Sequence, residues 1–141
     1  MNTTVEKLVW TESLTLYNNS IDNQHKRLFD LVNEVIDTDQ IYPRTEKFAQ
    51  ILSKLTDYGL EHFAHEEALM QKLNYPGLQE HKKDHLNYIY EVSMFNLNFR
   101  EANCTDPKIV VKFMRDWWYK HILAMDMHFG KFIRHSISKE F

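Results

Sequence analysis

Seven side chains able to hold a cation fall on helical stripes that leucine or valine would otherwise fill. The stretch HFAHEEALMQKLNYPGLQEHKKDH, from His62 to His85, contains four of the chain's eight histidines and three of its glutamates. His62 and Glu66 are four residues apart, as are His81 and His85, and an α-helix brings such pairs onto one face. Continuing the stripes adds His25 between Ile21 and Leu28, His121 one turn after Trp117, and Asp126 five residues beyond that. A single histidine on an apolar face is usually a hydrogen-bonded core residue. An ionised carboxylate there is different, because desolvation costs several kcal/mol even after relaxation, so it needs a cation or a raised pKa. Two carboxylates beside five imidazoles point to a metal centre. A set without thiolates suits Fe, Mn, Zn, Ni or Cu. Seven ligands exceed the needs of one ion. In a dinuclear octahedral centre, two bridging carboxylates, five imidazoles and a shared oxide or hydroxide would fill all but one position, leaving a place for a small ligand.

Four helices are needed to position these groups. Residues 1–19 read as an arm, and helices are expected at about 20–38, 43–73, 78–102 and 106–129. Ser20 is the expected N-cap of the first. Pro43 and Pro107 suit first turns, with Thr105 or Asp106 capping the last helix. The apolar stripes run Ile21, Leu28, Val32, Val35, Ile36; Phe48, Ile51, Leu52, Leu55, Tyr58, Leu69, Leu73; Ile89, Val92, Phe95, Phe99; and Val110, Met114, Trp117, Ala124, Met125, all at helical spacing. The tail from Gly130 is expected to add one short helical turn. Short connections between amphipathic helices predict an all-α, antiparallel up-down-up-down four-helix bundle with an N-terminal arm, as a single domain over 1–141. His121 and Asp126 pose a local problem, since five residues of regular helix overshoot a full turn by about 140°. The spacing predicts a widened or π-type turn between Trp117 and Met127.

Composition narrows the function classes. The chain has 141 residues, 43% of them hydrophobic, and a net charge of −3. It can bury a core unaided, and no Lys/Arg cluster suggests a nucleic-acid partner. Cys104 is the one cysteine, which fits a reducing compartment. No secretory leader and no membrane span are expected, so the expected location is the cytoplasm and the expected state a monomer.

The blocks WTESLTLYNNSIDNQHKRLFDLVNEV, HFAHEEALM, YPGLQEHKKDH and DWWYKHILAMD resemble bacteriohemerythrins, between Trp10 and Asp126. That family is a four-helix bundle whose non-haem di-iron centre binds O2 reversibly. The resemblance implies two iron ions with a bridging oxide or hydroxide: His81, His85 and His121 on one, His25 and His62 on the other, Glu66 and Asp126 bridging. It implies O2 end-on at the His25/His62 iron, azide as a mimic, and a dry pocket walled by Leu28, Phe63, Trp117 and Ile122. A glycine common before the first helix of the family is absent, and Tyr17-Asn18-Asn19-Ser20 stands there instead. His65, His128 and His135 lie outside the motif and read as solvated.

The expected role is oxygen storage, transport or delivery, the recipient of delivery being an O2-consuming enzyme, without catalysis of its own. The competing readings are a di-iron enzyme acting on peroxide or nitric oxide, and an oxygen or iron sensor. Ferritin-like di-iron oxidases use Glu-x-x-His pairs, and the chain contains none.

Overall fold

The computed structural model describes residues 6–37, 46–98 and 106–139. Helix α1 spans Asn19–Ile36, α2 Glu46–Lys72, α3 Leu78–Asn98 and α4 Pro107–His121. A π-helical turn, Ile122–Asp126, joins α4 without a break to α5, Met127–Lys139. The described residues contain no strand. Helix α1 packs on α2 and α4, and α3 packs on the same two, which is the neighbour pattern of an up-down-up-down four-helix bundle. The start expected at Pro43 and the end expected at residue 102 lie outside the described residues.

Local chemistry sets the ends of the helices. Asn18, not Ser20, caps α1, its side chain accepting the Ile21 N–H at 3.0 Å. Asp106 caps α4 by accepting the Lys108 N–H at 2.9 Å, with Pro107 in the first turn. Helix α2 closes with paired bonds, Tyr75 N–H to Met70 O and Asn74 N–H to Gln71 O, at 2.9 and 3.2 Å. Asn74 takes a left-handed φ of 55°, the usual geometry of such an ending. Tyr17, just before the cap, has φ 57°, a conformation that costs a bulky residue roughly 1 kcal/mol or more.

The arm is fastened to the bundle. Leu8, Leu14 and Leu16 are buried. The Asn33 side chain holds the Leu8 backbone at both its N–H and its carbonyl, each at 2.7 Å. Buried Asp22 accepts the Thr15 hydroxyl at 2.5 Å and the Leu16 N–H at 2.9 Å.

The helix expected to stop near Phe129 runs on to Lys139. Gly130 does not end it. A Cβ at Gly130 would lie 3.1 Å from the Leu16 Cα, so glycine is there to let the arm approach. Phe129 and Ile133 are buried one turn apart. Along α4 and the π turn the buried stripe is Val110, Val111, Met114, Trp118 and Ile122, while Ala124 is exposed and Met125 and Trp117 are half-buried.

The core falls into two apolar clusters. One gathers Leu28, Val32, Leu55, Phe63, Tyr88, Met114, Trp118 and Ile122 among others. The other is built from Leu16, Ile21, Met70, Phe129 and Ile133, with Tyr75 and Phe132 packed against it.

Candidate metal centre

Helix α1 supplies His25, α2 His62 and Glu66, α3 His81 and His85, α4 His121, and the π turn Asp126. None exposes more than 2% of its surface. The turn solves the five-residue spacing, because the Met127 N–H bonds back five residues to the Ile122 carbonyl. The extra residue per turn lets His121 and Asp126 face the same interior, with His121 Nε2 at 3.0 Å from Asp126 Oδ1.

The groups form two overlapping sets. Glu66, His81, His85, His121 and Asp126 make one, and His25, His62, Glu66 and Asp126 the other. Each carboxylate offers one oxygen to each set. Glu66 Oε1 lies 2.7 Å from His81 Nε2 and 3.4 Å from His85 Nε2, whereas Oε2 lies 3.2 Å from His62 and 3.8 Å from His25. Asp126 Oδ1 lies 2.8 Å from His81 Nε2, and Oδ2 lies 3.0 Å from His25 Nε2.

Despite these distances, none of the four carboxylate oxygens takes a well-directed hydrogen bond from a described residue. The nitrogens and oxygens converge on shared space rather than on one another. The imidazole edges agree. Nε2 of His25 and His62 are 3.1 Å apart, His81 and His121 3.2 Å, and His85 and His121 3.1 Å. Neighbouring nitrogens at right angles around an ion about 2.1 Å away would be separated by about 3 Å. The donor set therefore fits two cations that share both carboxylates.

Three of the rings are oriented from behind. His85 Nδ1–H donates to Glu67 Oε2 at 2.7 Å, His121 Nδ1–H to Asp84 Oδ2 at 2.5 Å, and His62 Nδ1–H to Gln24 Oε1 at 2.8 Å. An ionised carboxylate only accepts, so His85 and His121 each carry a proton on Nδ1 and present Nε2 to the interior, the nitrogen that would face a cation. Asp84 is held below the usual carboxylate range, chiefly by that bond to His121.

Burial and the facing charges pull these groups in opposite directions. Burial pushes the His25 ring down, but the oxygens and charges of Asp126 and Glu66 outweigh it and raise it to about 9. His81 is lifted against burial to about 10 by the same two carboxylates. His121 is raised as well, against burial, by Asp126, Asp84 and Glu66. At His62 burial prevails and the ring is lowered. Burial opposes ionisation of Glu66 and Asp126 too, yet the facing imidazoles hold both below the ordinary carboxyl range.

The expected pocket residues divide. Leu28, Phe63 and Ile122 are buried. Phe63 stacks on His85 at 3.9 Å and lies 6.1 Å from the His62 ring. Trp117 stacks on His121 at 4.5 Å, on the three-histidine side. Trp118 is the fully buried tryptophan, 5.8 Å from His62, with its indole N–H donating to the Tyr88 hydroxyl at 3.2 Å. Sequence reasoning missed Trp118, although the four-residue steps from Met114 to Trp118 to Ile122 mark it as clearly as Trp117. His65 is exposed, 3.3 Å from the Ser20 hydroxyl.

Residues 17–133 match the family model for the hemerythrin HHE cation binding domain. The chain belongs to the hemerythrin family. It is 33% identical over 132 residues to the bacteriohemerythrin of Pseudomonas aeruginosa, an alignment covering 94% of this chain and 85% of that protein. It is 34% identical over 109 residues to the bacteriohemerythrin of Methylococcus capsulatus, covering 77% and 82%. The myohemerythrin of Riftia pachyptila is 26% identical over 121 residues, covering 86% and 89%. A wild-type hemerythrin crystal structure superposes with a TM-score of 0.75 at 30% identity, over 88% of this chain and 95% of that one. Fold and clustered ligand sets together are those of a hemerythrin, consistent with a di-iron O2-binding site. No helix among the described residues is long and apolar enough to cross a membrane.

Proposed function

We propose that the protein binds O2 reversibly at two iron ions, one held by His81, His85 and His121, the other by His25 and His62, with Glu66 and Asp126 bridging. One observation carries this reading: both buried carboxylates present one oxygen to each imidazole set. Ferrous iron in both sets would supply the electrons for reversible O2 binding. The two-histidine side is one ligand short, so O2 and anions such as azide bind there. Leu28, Phe63, Ile122 and Trp118 keep water from that place, and Trp117 shelters His121 on the other side. Apolar walls deny protons a route to the bound ligand and so slow its loss as peroxide or superoxide.

An optical spectrum of the reduced protein before air, after air and after deoxygenation tests the reading. A colour that comes and goes supports a carrier or store. Irreversible bleaching, or turnover with peroxide or nitric oxide, would overturn it in favour of an enzyme.

A further inference from the structure

Behind the converging groups, the outward hydrogen bonds of the imidazoles are unequal. In the three-histidine set, His85 and His121 donate to carboxylates, Glu67 and Asp84, at 2.7 and 2.5 Å. In the two-histidine set, His62 donates to the neutral amide oxygen of Gln24 at 2.8 Å. Nδ1 of His25 and of His81 finds no hydrogen-bond partner among the described residues. Among the described residues, one half of the site thus has two anions hydrogen-bonded behind its rings, and the other half has none. A carboxylate that accepts the Nδ1 proton makes the opposite nitrogen more basic and a better donor to a cation. Glu67 and Asp84 are themselves partly shielded, with side chains 26% and 33% exposed, so solvent screens their charge only in part.

We propose that Glu67 and Asp84 are positioning residues that make the His81/His85/His121 half of the site fill first and hold its cation more tightly, while Gln24 leaves the His25/His62 half the weaker. Filling is therefore ordered, and the half that takes the exogenous ligand is also the half that loses its metal first. The inference rests on the two-metal reading above and adds to it the inequality of the halves.

Metal-free full-length protein titrated with cobalt(II) in the presence of a competing chelator tests it. The absorption spectrum and the histidine ring signals in NMR follow the filling. Two steps are expected, with the His85 and His121 signals responding in the first and His25 and His62 in the second. Glu67→Gln and Asp84→Asn should each weaken the first step by roughly 10–100-fold, the usual effect of losing such a partner, and leave the second nearly unchanged. Asp84→Glu should restore part of the loss. Gln24→Glu should tighten the second step by a similar factor and narrow the gap, a gain that a purely structural role for this half-exposed residue would not produce. Equal affinities, a first step at His25 and His62, or a Gln24→Glu variant that binds more weakly would overturn the inference while leaving the two-metal site intact. Failure of either half to bind cobalt would overturn both.

Discussion

His121 and Asp126 meet across a widened turn of helix, Nε2 to Oδ1 at 3.0 Å, although five residues of regular helix would set them apart. The turn acts as a one-residue insertion absorbed on the spot. Deleting exposed Ala124 should let the helix close to regular geometry with His121 and the aspartate four apart and still aligned. That variant is expected to keep about two irons per chain, the content of a dinuclear site. Inserting one alanine after Ala124 should swing the aspartate away by about 100° and lower the iron content. Metal analysis of the two variants side by side checks this. Equal iron in both would mean that the turn does not aim Asp126.

Glu66 lies within 3.8 Å of four imidazole nitrogens, whereas its neighbour His65 is exposed, with its ring 3.3 Å from the Ser20 hydroxyl. Glu66→Ala should strip metal from both halves. His65→Ala should keep its iron and shift stability by no more than about 0.5 kcal/mol, as surface changes usually do. Iron content and a denaturant titration give both answers.

Removing the metal should make stability fall on the alkaline side. His25 and His81 are raised from the ordinary 6.5 to about 9 and about 10. Their pairing with Glu66 and Asp126 contributes in full below about pH 6.5 and is lost as pH rises through those raised values. The two carboxyls are lowered, so their contribution is present above the ordinary carboxyl range and is lost in acid. Denaturant midpoints of the metal-free protein should therefore fall from about pH 6.5 to about pH 10, while the metal-bound protein, with no proton on those nitrogens, stays level. Metal uptake at pH 8 should release protons, measurable in weak buffer. A flat metal-free profile to pH 10 would rule out imidazolium in the cluster.

Leu28 is fully buried one turn from His25. Leu28→Ala should cost about 2–5 kcal/mol of stability through the cavity it leaves and shorten the lifetime of the O2 complex, with iron content unchanged. An O2 complex as long-lived as the parent's would remove Leu28 from the barrier to water.

Asp22 gathers the Thr15 hydroxyl and the Leu16 N–H. Asp22→Ala should loosen the arm at a cost of about 1–3 kcal/mol, the price of leaving a buried donor unpaired, without displacing metal. Faster amide exchange at Leu16 alone would be the signature.

The site was legible in the sequence because charge on a core stripe stands out against apolar neighbours, and because a gap of five cannot be reconciled with a regular turn. Tertiary partners decide the features that were not legible. Adjacent Trp117 and Trp118 both suit the inner face and both lie against Phe63, and it is Trp118, fully buried, that also meets the His62 ring. Asn18, Asn19 and Ser20 are all competent caps, and the left-handed Tyr17 just before them fixes which is used. Gly130 resembles a helix stop until Leu16 is seen lying against it. The outward partners Gln24, Glu67 and Asp84 each sit next to a member of the cluster in sequence, but ordinary surface polar residues have the same pattern.

The charged layer also divides the bundle lengthwise. Below it, Leu16, Ile21, Met70, Phe129 and Ile133 form an apolar patch separate from the larger core above. A patch of that size gives little independent stability, so cations held by the proposed centre would tie it to the rest of the molecule. A chain stripped of iron should open first at the end where Tyr75, Phe129 and Phe132 meet, presenting aromatic residues to proteases while the far half stays folded. In a cell, the lifetime of the polypeptide would then follow the supply of iron, and scarcity would remove the empty molecules before the filled ones.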